Sequence, residues 1–380
     1  MTTLVDLVVA GGGPAGLAAA IGAAQAGLRV TVMDPRRGVI DKACGEGIMP
    51  GGVEALEELG IRPRGVPFVG VEYADASDPD LRATGCFPSG AVGLGVRRTV
   101  LHGAMKRRAQ MSGVTFFPAR LTSLDQRRDG VLVNGDIHAR WLIGADGLRS
   151  DVRRLLGVER PARGPARLGI RRHYEVEPWS PRVQVYFGEH AEAYVTPVDM
   201  NLVGVAFLFE PDEDGDVRGL RFDDMLREMP LLARQLAGKP IVSKLRGAGP
   251  FEQRVEQHVV GNVLLVGDAA GYVDPLTGEG IALGLATARA AIRSLIEDDP
   301  AAYEARYRTL ARRYFALTSA LLAVTRRRAL QRSLIRLARA WPAAFDAALG
   351  MLGHVPDADG AEHSSAPPND DLTIGLDRLL

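Results

Sequence analysis

Residues 4–34, LVDLVVAGGGPAGLAAAIGAAQAGLRVTVMD, decide the fold. Leu4 to Ala10 is a short apolar, β-branched run of the kind that a buried parallel strand requires. Gly11, Gly13 and Gly16 follow in G-x-G-x-x-G spacing. A helical pattern then runs from about Pro14 to Ala26 until Gly27 stops it, and a second strand from Arg29 to Met33 ends at Asp34. Strand, glycine turn, helix, strand and terminal acid in this register predict a dinucleotide site. Gly11 permits the tight turn, Gly13 lets a pyrophosphate approach the backbone, and Gly16 lets the helix sit close on the strand. The helix N-terminus faces the phosphates, and Asp34 is placed to hydrogen-bond a ribose hydroxyl.

The rest of the composition bounds the answer without sharpening it. The 380 residues are enough for one mixed domain and a smaller one. The 46% hydrophobic and 24% charged residues are ordinary for a soluble protein, and a formal net charge of zero gives no reason to expect nucleic acid. Cys44 and Cys86 make neither a disulfide framework nor a metal-ligand set, so no metal is expected and a reducing cytoplasm fits. The N-terminus lacks the pattern of a signal peptide.

Two later stretches choose the dinucleotide. ARWLIGADGLRSDVRR (139–154) is a short apolar strand running into Gly144, Asp146 and Gly147, then Ser150 and Arg153. NVLLVGDAAGYVDPLTGEGIALGLATARAAIRSLIE (262–297) is another buried strand running into Gly267 and Asp268, then a loop and a long small-residue helix. In these three motifs, over about residues 4–300, the chain resembles the FAD-dependent monooxygenases of the aromatic-hydroxylase type and their relatives, the geranylgeranyl reductases. The resemblance implies a Rossmann-like FAD-binding domain in an α/β fold, an antiparallel β-sheet substrate domain and C-terminal helices. It marks Gly11, Gly13, Gly16, Asp34, Asp146, Gly267 and Asp268 as FAD contacts. Arg98 joins them, in VRRTVLHGAM, as the arginine of an R-x-x-L segment, preferred to Arg97 for its spacing to Leu101. Pro14, Ala15, Cys44, Gly45, Gly147, Gly278, Gly280 and Ile281 complete the expected cofactor contacts. From the residues alone, the helix after PLTGEG aims unpaired N–H groups at whatever lies beyond the loop, and Gly278 and Gly280 let the backbone approach a flat ring.

The stretch DKACGEGIMPGG (41–52) follows the second strand by a few residues, on the carboxyl side of the sheet where ligands bind. It resembles the C-G-x-G segment of the geranylgeranyl reductases, which implies a wall beside the isoalloxazine ring. Cys44 is a candidate reagent or else a small packing residue, with Lys42 either lowering its pKa or solvated. Glu46 is a candidate general acid or an exposed loop glutamate. Cys86 is expected to pack.

The expected domains are 1–67, 98–165 and 241–298 for FAD, 68–97 and 166–240 for substrate, helices over 299–352, and a flexible tail over 353–380 rich in Asp, Ser and Pro. PRVQVYFGEHAEAYVTPVDMNLVGVAFLFE alternates as strands of an antiparallel sheet, with turns at GEH and VDMN. Tyr186, Tyr194 and His173 are either pocket residues or ordinary core. YVTP (194–197) departs from the Y-x-W-x-F-P pattern of geranylgeranyl reductases and from the W-x-W-x-I-P signature of flavin halogenases. Between Tyr303 and Trp341 there are ten arginines and one acid. That segment is either a solvated helical face or a basic surface lying near anionic lipid.

Only one G-x-G-x-x-G is present, so NADPH or NADH is expected to dock transiently. The resemblance implies first a monooxygenase, in which reduced FAD and O2 form a C4a-hydroperoxide that hydroxylates an aromatic or polyketide-like substrate. The alternative is a reductase of prenyl or quinone-like lipid double bonds, and a flavin-binding sensor or electron carrier is the non-enzymatic class.

Overall fold

The computed structural model describes residues 3–211 and 222–353; most of the expected tail, residues 354–380, lies outside the described residues. The strand Thr3–Ala10 is at the centre of the first sheet. It pairs in parallel with Val30–Met33 on one side and Ile137–Gly144 on the other. Thr115–Phe117 and Val263–Leu265 extend the parallel array outward, and Val259–Val260 adds an antiparallel edge. Leu7, Val8, Val9 and Val32 have no exposed surface, as strands covered on both faces require. The helix Pro14–Gln25 covers one face and is itself buried along Leu17, Ala19, Ala20, Ile21 and Ala23, because the helix Gly280–Ile296 lies against it. Alanines along this contact let the two helices approach closely.

The second large sheet, the one expected to face the substrate and called the substrate sheet below, has seven strands in the order Arg246–Ala248, Leu168–Glu175, Leu202–Phe209, Ala191–Asp199, Val183–Phe187, Gly70–Asp75 and Arg82–Cys86. All neighbours are antiparallel except Val183–Phe187 with Gly70–Asp75. Turns fall at residues 188–190 and 200–201, as the alternation predicts. Two features differ from expectation. Arg246–Ala248 pairs with Leu168–Glu175, so this sheet holds the chain beyond residue 240. The strand Ala191–Asp199 is buried at both alternating sets of positions. Its outer face meets the helices Phe222–Arg227 and Pro230–Leu236, and its inner face closes a cavity against the first domain.

The helices Ala302–Thr325, Arg328–Ala340 and Pro342–Gly353 follow. Three buried tyrosines on the first of them donate to backbone carbonyls: Tyr303 to Leu265 (2.8 Å), Tyr307 to Ala270 (3.0 Å) and Tyr314 to Asp274 (3.0 Å). This staples the loop after the late strand in place. The other two helices pack on the strand Arg82–Cys86.

Candidate active site

A cavity of about 560 Å³ runs between the two sheets, from the glycine loop to an apolar chamber under the substrate sheet. The expected residues Gly13, Pro14, Ala15, Cys44, Gly45, Glu46, Arg98, Asp146, Gly147, Gly267, Asp268, Gly278, Gly280 and Ile281 all line it. Gly11 and Gly16 lie behind the wall and set the turn. A Cβ on Gly16 would stand 2.0 Å from the Gly11 carbonyl oxygen, and one on Gly11, whose φ is +108°, would stand 2.4 Å from the Ala145 oxygen. A Cβ on Gly13 would meet nothing within 4 Å, the open space that a pyrophosphate needs.

Asp34 does not line the cavity. Its Oδ2 accepts the Gly12 N–H at 2.8 Å, and Arg36 Nε and Nη2 bond its two oxygens at 2.8 and 2.7 Å. Burial raises its pKa, but these donors outweigh burial and the net shift is downward. The carboxylate braces the glycine loop from behind, and Arg36 reaches the cavity in its place. His102 braces the same loop from the helix Arg98–Met111. Its Nδ1 accepts the Ile40 N–H at 3.3 Å, so Nε2 carries the proton and donates to the Gly12 carbonyl at 2.9 Å. Burial holds its pKa below the usual value.

Arg153 joins the two remaining cofactor motifs. Nearly fully buried, it donates to the carbonyls of Ala269 (3.2 Å) and Leu148 (2.7 Å) and to the Gln253 side chain (2.6 Å). The Asp146 carboxylate accepts from Ser150 Oγ at 2.5 Å and the Val152 N–H at 3.1 Å, while burial raises its pKa. Lys42 is ion-paired with Asp268 at 3.3 Å. Arg98 lines the cavity and its buried Nε has no hydrogen-bond partner among the described residues, whereas Arg97 is not part of the wall.

Glu46 is not an exposed loop residue: it is 2% exposed and holds φ at +62°, a left-handed conformation that an ordinary residue adopts only under constraint. Oε1 accepts the Arg98 N–H at 2.7 Å and Oε2 meets His173 Nε2 at 2.5 Å. His173 Nδ1 faces Arg171 Nη1 at 3.2 Å. Because a guanidinium only donates, Nδ1 is the acceptor and Nε2 donates to Glu46. Arg171 also bonds Asp41 (2.5 Å) and the Lys42 carbonyl (3.2 Å), and Thr196 Oγ1 donates to the Gly45 carbonyl (2.8 Å). The whole 41–47 loop is thus tied to the substrate sheet while Cys44 and Gly45 face the cavity. His173 backs the wall rather than lining it, Tyr194 lines it, and Tyr186 does not. Cys86 is half-buried, with Arg182 donating to its sulfur at 3.3 Å.

The PLTG turn is set by Asp274, whose Oδ1 accepts the Leu276 N–H at 3.0 Å. Behind it Arg167 is ion-paired with Asp274 (3.1 Å) and Glu192 (3.0 Å), all three buried. Burial outweighs the arginine and pushes Asp274 up to about 6. Glu279, five residues on, is also buried and is pushed up to about 8 by desolvation. Among the described residues, no group of three His, Cys, Asp or Glu is placed to hold a metal ion.

A doubly covered parallel sheet whose first turn is a glycine loop, opening on a cavity shared with an antiparallel sheet, defines a flavoprotein of the aromatic-hydroxylase type. The chain belongs to the FAD binding domain family, which matches residues 4–299. It is similar to digeranylgeranylglycerophospholipid reductase 1 of Methanopyrus kandleri, 32% identical over 319 residues covering 78% of this chain and 83% of that protein. It is similar also to menaquinone reductase of Mycolicibacterium smegmatis, 31% identical over 348 residues covering 83% and 82%. Among solved structures, p-nitrophenol 4-monooxygenase from Pseudomonas putida superposes with a TM-score of 0.76 at 21% identity, covering 93% of this chain and 99% of that one, a likeness of fold. The protein is an FAD-dependent oxidoreductase of this family.

Proposed function

We propose that the protein reduces double bonds of an isoprenoid or quinone-like lipid, with NADH or NADPH as transient reductant. The observation that carries this reading is the far end of the cavity. Its wall is Phe68, Val71, Val183, Val185, Leu276, Leu349 and Leu352. Tyr73 and Tyr194, which line the same cavity, are buried phenols; burial pushes Tyr73 up to about 12 and raises Tyr194 well above the usual phenol value. Neither is a base for a phenolic substrate at neutral pH, whereas an alkene needs none. The two reductases named above act, by their names, on such lipids.

FAD, when bound, supplies the hydride. On this reading Gly13 and the helix N-terminus would hold the pyrophosphate, and Arg98, Gly278 and Gly280, which line the same cavity, would hold the rest of the cofactor. Saturating an alkene takes one hydride and one proton. On this reading Cys44, on the cavity wall, would deliver the proton, and Glu46 would not, because both its oxygens are engaged. Lys42, held by Asp268, sits at the polar end. The second reading, a monooxygenase hydroxylating an aromatic substrate with O2, draws on the YVTP departure from the prenyl-reductase pattern. Product mass separates the two: FAD-loaded protein with NADPH and menaquinone, with and without air, adds two hydrogens per double bond in either atmosphere if it is a reductase. Addition of one oxygen, only in air, would reject the proposal.

A further inference from the structure

The last two helices face inward and outward with different chemistry. On Pro342–Gly353, Phe345 and Leu349 are buried, and Leu349 and Leu352 wall the apolar end of the cavity. Outward, the same hairpin presents Leu330, Leu337, Trp341 and Met351, exposed by 40%, 51%, 64% and 48%. Leu330 and Leu337 lie two turns apart on one line of the helix Arg328–Ala340, and Trp341 closes its end. Exposed Ala343, Ala344, Ala347 and Ala348 continue a smooth apolar face. Arg327 and Arg336 flank the line, both exposed, whereas Arg328 and Arg332 turn inward to Asp75. The one acid between 328 and 353, Asp346, is held by the Cys86 N–H at 2.7 Å.

An apolar line with a tryptophan at its end, flanked by arginine and with no exposed acid on the hairpin itself, is the pattern of a helix that lies in a bilayer interface. Among the described residues no helix is long and apolar enough to cross a membrane, so the contact is peripheral. We propose that the hairpin 328–353 rests on an anionic lipid surface and opens the apolar end of the cavity toward it, so that a chain longer than the cavity enters only in part. The choice of what enters rests on the lipid-reductase reading; the surface contact does not.

Vesicle flotation of the full-length, FAD-loaded protein tests this without turnover. Phosphatidylglycerol-containing vesicles should retain it, pure phosphatidylcholine vesicles should not, and salt should release it. Leu337→Glu with Trp341→Glu should weaken retention by about tenfold or more, and Arg336→Glu by roughly fivefold. FAD content and thermal unfolding should stay as in the wild type. Ile241→Glu, an equally exposed apolar position at the opposite edge of the substrate sheet, should change nothing. Absence of retention, retention indifferent to the hairpin variants, or loss through Ile241→Glu instead would overturn the proposal. So would a dimer in light scattering that the hairpin variants convert to monomer without any vesicle binding, because the face would then belong to a second copy.

Discussion

At the scale of single residues, the site rests on side chains whose hydrogen-bonding roles are fixed. His173 has one nitrogen accepting from Arg171 and the other donating to Glu46. Glu46→Gln brings the amide NH2 against the His173 donor or turns it on the Arg98 N–H, and either way leaves a buried donor unmatched. The expected loss is about 1–3 kcal/mol, read from denaturant unfolding. Cys44→Ser keeps the shape of the wall, so FAD content should be nearly unchanged while double-bond reduction falls; full turnover would make the thiol wall and not proton donor. Asp268→Ala removes the partner of Lys42 and should lower the FAD retained on purification; wild-type flavin content would reject its place in the cofactor site. His102 sets a pH dependence. Its folded pKa lies below the ordinary 6.5, so the unfolded chain binds the proton more readily and the contribution to stability is present above 6.5 and lost as pH falls below it. Wild-type melting temperature should therefore drop more steeply than that of His102→Gln between pH 7.5 and 5.5.

At the scale of elements, the glycine turn was legible because its rule is local. A methyl on Gly16 has no room beside the Gly11 oxygen, and the spacing alone implies that. Gly16→Ala should cost about 1–3 kcal/mol and empty the protein of flavin, checked by absorbance after gel filtration. The 41–47 loop was legible only in part. Its place on the cavity wall agrees with the motif, but the burial of Glu46 depends on Arg171, His173 and Thr196, more than 120 residues away in sequence. No local pattern reports such partners. Asp34 shows the same limit: the acid stands at the end of the second strand as its position implies, but its bonds to Arg36, two residues on, and to Gly12 carry no signal in the motif. The strand Ala191–Asp199 alternates in sequence, but it is covered on both faces by parts of the chain that composition does not place there. The stapling tyrosines 303, 307 and 314 carried a signal, i, i+4 and i+11 on one helix face, that also suits ordinary core.

At the scale of the whole molecule, the two sheets enclose a cavity lined by the glycine loop and by apolar side chains, and the last helix contributes Leu349 and Leu352 to that lining. On the proposed function, reducing equivalents cross this cavity to a lipid double bond. The most direct test is an anaerobic single turnover, with FAD-loaded protein photoreduced and mixed with menaquinone vesicles or a geranylgeranyl lipid in detergent. Oxidised-flavin absorbance should return with the lipid alone, one flavin per double bond saturated. Flavin that stays reduced with either lipid until O2 is admitted would contradict it.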